Sequence, residues 1–374
     1  IISGPLSDKF GRKGVIVFTS LLFSIFTILC GFANSTQDLM IYRFITGVGL
    51  GAAMPNISTI VSEYMPVKRK AFLTGLAGCG FMLGISCGGV LSAYLLESYG
   101  WAKVIIIGGS IPLILVVALL LKLPESTQYL ITRHQQAKAQ RILENIQGHS
   151  FQEPVKFVLT QAENTSDENP VKIVLGKYLW GSSMLWFCCF TSLLVFYLLT
   201  SWMPTILKTA GFSTQQFSLI AAIFPFGGVI GATIMGWYMD KLNPTTVIKY
   251  SYLIAFALFI VAGLVSSNIF LLGLTIFLIG ALLAGAQSSL LPLAAMFYPA
   301  VCRAVGVSWM HGIGRIGAIL GAFFGSLIFT FNLSLSGIFF ILALPTFISF
   351  IALSLKVIYE KSKNKQVLKL EESL

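Results

Sequence analysis

The chain has 374 residues, of which 56% are hydrophobic and 10% charged, with 25 Lys and Arg against 14 Asp and Glu. A soluble domain carries about 25% charged residues, so a water-soluble fold could not cover its surface with so few. Together with a mean hydropathy of +0.85, this excludes a soluble enzyme, a nucleic-acid binder and a disulfide-stapled secreted domain. It predicts an all-α membrane protein, because the apolar runs have helix rather than strand length.

In chain order, about ten segments reach the roughly 20 apolar residues that cross a bilayer. Their predicted limits are 15–33, 39–62, 72–96, 104–123, 178–207, 216–238, 247–266, 269–297, 305–331 and 335–358. Short connectors with Asn, Ser or Pro make neighbouring spans antiparallel. Residues 124–176 break the series with Glu, Gln, Lys and Asn, and carry one amphipathic helix near 134–146 (Ala137, Ala139, Ile142, Leu143). The predicted organisation is a first bundle over 1–123, a connector over 124–176, a second bundle over 177–358 and a charged tail over 359–374.

Of the 25 Lys and Arg, all but Arg43, Lys103, Lys208 and Arg315 fall on one side of this topology. Positive charge collects in the cytoplasm, so the connector and tail are expected there, in a multi-pass protein of the cell inner membrane. The net charge of +11 is accounted for by topology. The six cysteines lie in or at the ends of apolar runs without C-x-x-C spacing and read as packing residues.

The chain also repeats itself. Gly4-Pro-Leu-Ser-Asp8-Lys9 recurs as Gly236-Trp-Tyr-Met-Asp240-Lys241, Pro66-x-x-x-Lys70-Ala71 as Pro299-x-x-x-Arg303-Ala304, and Gly84 and Gly88 as Gly317 and Gly321. These matches share one offset to within a residue, which predicts two homologous bundles of parallel orientation. By the same register, about 60 residues holding one span and most of another are expected before Ile1, giving roughly twelve spans in the intact protein.

These residues carry a family resemblance. Gly4-Pro-Leu-Ser-Asp-Lys-Phe-Gly-Arg-Lys13 resembles the loop 2–3 motif of the major facilitator superfamily, and Arg43-x-x-x-Gly47-x-Gly49-x-Gly51 resembles its span-4 motif. Longer strings are similar to the aromatic acid:H⁺ symporter family. They are Gly47-Val-Gly-Leu-Gly-Ala-Ala-Met-Pro-Asn56, Ser62-Glu-Tyr64, Leu123-Pro-Glu-Ser126, Ala210-Gly-Phe-Ser213, Met239-Asp-Lys-Leu-Asn-Pro244 and Gly312-Ile-Gly-Arg-Ile-Gly-Ala-Ile-Leu-Gly321. The sequence departs from that family where Thr245 and Thr246 replace an imidazole, and where His311 takes a small or apolar position. The resemblance implies a major facilitator fold of two six-helix bundles and symport of an aromatic carboxylic acid. Superfamily antiporters usually place Pro where this chain has Ile85, which favours symport over export.

Arg315 is the sharpest candidate for substrate binding. It falls about 15 Å into its span at 1.5 Å per residue, a depth at which a guanidinium costs at least about 2.5–3.5 kcal/mol. Either a substrate carboxylate or a permanent carboxylate partner in the missing spans would compensate it, the former by bidentate bonding. His311 shares its helix face and fits either proton relay or interhelical hydrogen bonding. Gln287, Asn56, Ser288, Trp309, Trp202, Phe224 and Phe226 are candidate cavity groups, weighed against simple packing in a chain with 30 Phe. Arg43, near the outer end of span 4, fits a lock on acidic residues of span 1, which the family has, or a snorkelling arginine. Glu63 fits a gate or relay, or a structural pair with Lys68 or Arg69. Asp8, Arg12, Asp240 and Arg303 sit in the repeated loops and are read as conformational-switch residues. Glycines every four residues in spans 5 and 11 permit close helix approach.

The expected function is therefore proton-coupled import of an aromatic monocarboxylate by alternating access. The alternatives are a carrier for another small organic acid or a sugar, and a transport-dead sensor. No enzyme activity, cofactor, metal or nucleic-acid partner is expected; the proton gradient is the driving force, and the protein is expected to work as a monomer in lipid.

Overall fold

A computed structural model describes residues 3–65, 70–147, 169–331 and 333–371. Lys68, Arg69 and connector residues 148–168 lie outside the described residues. The described residues form α1 (Ser3–Phe10), α2 (Arg12–Cys30), α3 (Thr36–Tyr64), α4 (Lys70–Lys122), α5 (Thr127–Thr132), α6 (Gln136–Gln147), α7 (Pro170–Leu175), α8 (Leu179–Thr209), α9 (Thr214–Lys241), α10 (Pro244–Leu264), α11 (Ile269–Phe297), α12 (Ala300–Thr330) and α13 (Leu335–Glu371), with no strand among them.

Among the described residues, nine helices are long and apolar enough to cross a membrane. The stretch Gly78–Lys122 has 45 residues, about twice the length of a single span. It is broken at Gly100, whose φ of 75° and ψ of 168° lie outside the helical region. The predicted spans 72–96 and 104–123 fall on either side of that break. Only glycine enters such a backbone without a Cβ penalty, so Gly100 sets the turn between two crossings.

The other helix ends follow from local chemistry. Ser35 and Ser213 close capping boxes with Asp38 and Gln216. Asn169, Asn243 and Asn268 each accept hydrogen bonds from the first free N–H groups of α7, α10 and α11. Each cap satisfies donors that lipid could not.

The chain divides into two compact units, one of residues 1–78 and 94–163, the other of 79–93 and 164–374. In the first, α2 packs on α3. In the second, α9 packs on α11, α8 on α12, and α10 on α13. The most apolar windows of α8 and α11 are each 56% buried, against 11% for Gly78–Lys122, so α8 and α11 form the interior of the second unit.

Glycine makes these contacts close. A Cβ at Gly317 or Gly321 would collide with the backbone oxygens of Phe190 and Leu194, and one at Gly314 would meet Cys189 and Leu193. The α12 glycine spacing is thus a seam against α8. A similar seam joins α9 and α11, where Gly231 faces Ala281 and Gly280 faces Phe224. In α4 the expectation is only partly met. Gly80, Gly84 and Gly88 have open space where a Cβ would go, and Gly89 alone in that run abuts a neighbour, Ala222 of α9. Ser86 hydroxyl donates to the Ala222 carbonyl at 2.8 Å beside it.

Candidate functional site

In the second unit the α8–α12 seam positions the polar groups. Arg315 stands at the middle of the 31-residue α12, and its side chain is exposed. Its Nη1 donates to the Tyr197 hydroxyl of α8 at 3.1 Å, and no carboxylate pairs with it among the described residues. The guanidinium also interacts electrostatically with Cys189 of α8 and with His311, one turn earlier on α12. Gln287 of α11 directs Nε2 to the Cys189 sulfur at 3.7 Å, while its Oε1 is enclosed without a hydrogen-bond partner. Arg315, His311, Cys189, Gln287 and Tyr197 therefore gather where α8, α11 and α12 meet. Trp309 lies nearby in sequence, its ring 5.6 Å from that of Trp186.

Two aromatic candidates serve packing instead. Phe224 is 1% exposed and sits against Gly280 and the Phe196 ring. Trp202 donates from its ring nitrogen to the Ala322 carbonyl at 2.7 Å. Arg303 Nε donates to the Tyr298 backbone oxygen at 3.2 Å, and burial pushes the Tyr298 phenol above its ordinary range. Asp240 is exposed at the end of α9.

The first unit holds a different cluster. Arg12 pairs with Glu63 at 2.7 Å, their side chains 14% and 5% exposed. The Ser126 hydroxyl donates to the other Glu63 oxygen at 2.6 Å. Glu125 Oε1 accepts from the backbone N–H groups of Lys13 and Ser126 at 3.0 and 2.9 Å, and thereby caps α2. Gly11, with φ 89°, precedes that helix, and a Cβ there would strike the Glu125 carboxylate. Tyr64 hydroxyl donates to the Glu125 carbonyl, and Lys13 Nζ donates to the Leu120 carbonyl at the end of α4.

Glu63 thus finds Arg12, a residue of the first glycine-containing loop. Asp8 lies in α1; its side chain is outside the described residues. Asn56 is buried and donates to Ala52 of its own helix at 2.8 Å. Arg43 is exposed on α3 with no hydrogen bond or ion pair among the described residues. Sequence reasoning missed Tyr197 and Cys189; its only handle on either was their position on a span later seen to face Arg315.

The helical architecture is that of a multi-pass membrane protein. The chain belongs to the Major Facilitator Superfamily, whose model matches residues 1–260 and again 185–373. Within it the chain groups with curated aromatic acid transporters. It is 40% identical over 356 residues to the 4-hydroxybenzoate transporter PcaK of Pseudomonas aeruginosa, covering 95% of this chain and 80% of the relative. It is 35% identical to the gallate transporter of Pseudomonas putida, over 94% and 79% of the two chains. It is also 33% identical to the benzoate transport protein of Acinetobacter baylyi, over 96% and 76%. A solved D-xylose-proton symporter shares the fold at a TM-score of 0.69 and 17% identity, over 95% of this chain and 82% of that one. A bacterial homolog of the human lysosomal transporter Spinster does so at 0.62 and 16%, over 99% and 87%.

Proposed function

We propose that the protein imports an aromatic monocarboxylate together with H⁺ by alternating access of two bundles in the inner membrane. The observation that carries this reading is Arg315, a guanidinium at the midpoint of an apolar helix whose described partner is a neutral phenol. Uncompensated charge at that depth is costly, and a planar carboxylate matches the fork of donors that Tyr197 leaves free. The relatives that transport hydroxybenzoate, gallate and benzoate support an aromatic body on that carboxylate.

The remaining residues take supporting roles. His311, one turn from Arg315, relays protons, since an imidazole can both accept and donate one. Gln287 and Trp309 contact the substrate. Asp8, Arg12, Glu63, Asp240, Arg303 and Arg43 stabilise one conformation against the other, with the connector and tail in the cytoplasm. The transporter acts as a monomer without a cofactor.

Binding of 4-hydroxybenzoate to the detergent-solubilised protein tests the carboxylate site. Arg315→Ala and Arg315→Lys are both expected to weaken it by roughly tenfold or more, the lysine failing because it lacks the planar fork. Unchanged affinity in both variants would end the reading.

A further inference from the structure

In the first unit, the last residue of α1, helix α5, the turn after it and α6 surround a cavity of about 530 Å³. Small-molecule sites run from about 300 to 1,000 Å³, so a compact organic molecule fits it. Part of the lining is apolar, from Phe10, Leu130 and Ile142. Leu130 is buried and Ile142 half-buried, whereas Phe10 keeps 61% of its surface exposed. The turn between α5 and α6 runs through His134 at φ 58°, a conformation uncommon outside glycine. The Gln135 N–H pins it by donating to the Leu130 carbonyl at 2.8 Å, and this brings Gln135 into the lining.

Lys138 and Arg141 also line the cavity. They stand three residues apart on α6 and share one of its faces. Other cations of this unit are spent on protein groups: Arg12 on Glu63, Lys13 on the Leu120 carbonyl, and Arg133 on the Lys9 carbonyl at 3.1 Å. The side chains of Lys138 and Arg141 have neither an ion pair nor a hydrogen bond among the described residues. Like charges at this spacing repel, and an anion set between them relieves both. The acidic lining residue, Glu125, is already engaged by the N–H groups of Lys13 and Ser126. Tyr129 is fixed too: its hydroxyl donates to the Lys9 carbonyl at 3.4 Å, and the Arg133 guanidinium lies 5.7 Å from its ring centre. An anionic head therefore belongs at the α6 edge, away from Glu125.

We propose that this cavity binds a small organic anion with an apolar body and about two negative charges, as an effector site separate from the carboxylate site at Arg315. A phosphate monoester carries about −1.5 to −2 charges at pH 7, which matches the two cations. Arg141 can hold two of its oxygens with one guanidinium. The ring or chain of the ligand packs on Phe10, Leu130 and Ile142, where apolar burial adds affinity. Glu125 lines the cavity while it caps α2, so the occupant steadies the join of α2 and α5 beside the Arg12–Glu63 pair.

The test is calorimetric titration of the complete gene product in detergent with phenyl phosphate, and with inorganic phosphate as the head alone. Phenyl phosphate is expected to bind with a Kd below about 1 mM, roughly tenfold or more tighter than inorganic phosphate. Lys138→Gln/Arg141→Gln is expected to weaken it by roughly tenfold or more. Phe10→Ala is expected to weaken phenyl phosphate and leave inorganic phosphate unchanged. All three side chains are exposed, so their replacement spares the fold. Saturating 4-hydroxybenzoate is expected not to displace the probe. Wild type that fails to bind phenyl phosphate, or binds inorganic phosphate equally well, overturns the proposal. A double variant that binds like wild type overturns it too, as does displacement by 4-hydroxybenzoate, which would put the probe in the carboxylate site.

Discussion

Tyr197 carries the most direct consequence at the scale of single residues. Its hydroxyl accepts from the Arg315 guanidinium at 3.1 Å and has its own proton left to donate to a bound carboxylate. Tyr197→Phe removes that hydroxyl alone. A hydrogen bond to a charged group contributes about 1.5–3 kcal/mol, so the half-saturating substrate concentration should rise roughly tenfold at a nearly unchanged maximal rate. Transport kinetics of the variant check this; a fall in maximal rate without a change in half-saturation would contradict it. Arg315 was legible because a charge stands out in an apolar run. Tyr197 was not: it is one of 12 tyrosines, and only the α8–α12 seam puts it opposite the arginine. The same holds for Arg12 and Glu63, each visible as a charge near a span end, whose pairing follows from how α2 and α3 pack.

Between elements, glycine contacts decide which helix meets which. Repeating glycines in α12 announced a close neighbour without naming it, and the neighbour is α8. Gly321→Val would drive a branched side chain into the Leu194 carbonyl, where overpacking costs about 1–3 kcal/mol. A lowered melting temperature in detergent should follow, whereas Gly84→Val, with open space at its Cβ, should leave it nearly unchanged. The α4 glycines show why spacing alone misleads: the same pattern packs in one helix and mostly stands free in another, because the partner backbone is invisible in one dimension. At the start of α2, Glu125 caps the helix from a segment more than a hundred residues away. Glu125→Ala should destabilise by about 1 kcal/mol, as lost caps do, in the same melting assay.

Across the whole molecule, composition and the helix-length apolar runs were enough for the membrane class. Less legible was the node that ties α2, α3 and α5 together through Arg12, Glu63, Glu125 and Ser126, since the pairings of Glu63 with Arg12 and Ser126 and of Glu125 with Lys13 join residues far apart in sequence. Removing one member of a buried ion pair strands the other at a cost of about 3–5 kcal/mol. Glu63→Ala should therefore destabilise strongly, and the Arg12→Ala/Glu63→Ala double variant should recover part of the loss, a coupling that a double-mutant cycle reads. If the pair also gates transport, Glu63→Gln slows uptake while substrate affinity holds.

The account turns on aromatic acid import driven by the proton gradient, and uptake of labelled 4-hydroxybenzoate tests it most directly. The measurement uses cells expressing the complete gene product, with and without a protonophore. The expected result is accumulation above the external concentration that collapses when the protonophore is added. No uptake from protein present in the membrane would contradict the aromatic acid reading, and uptake indifferent to the protonophore would contradict coupling to protons.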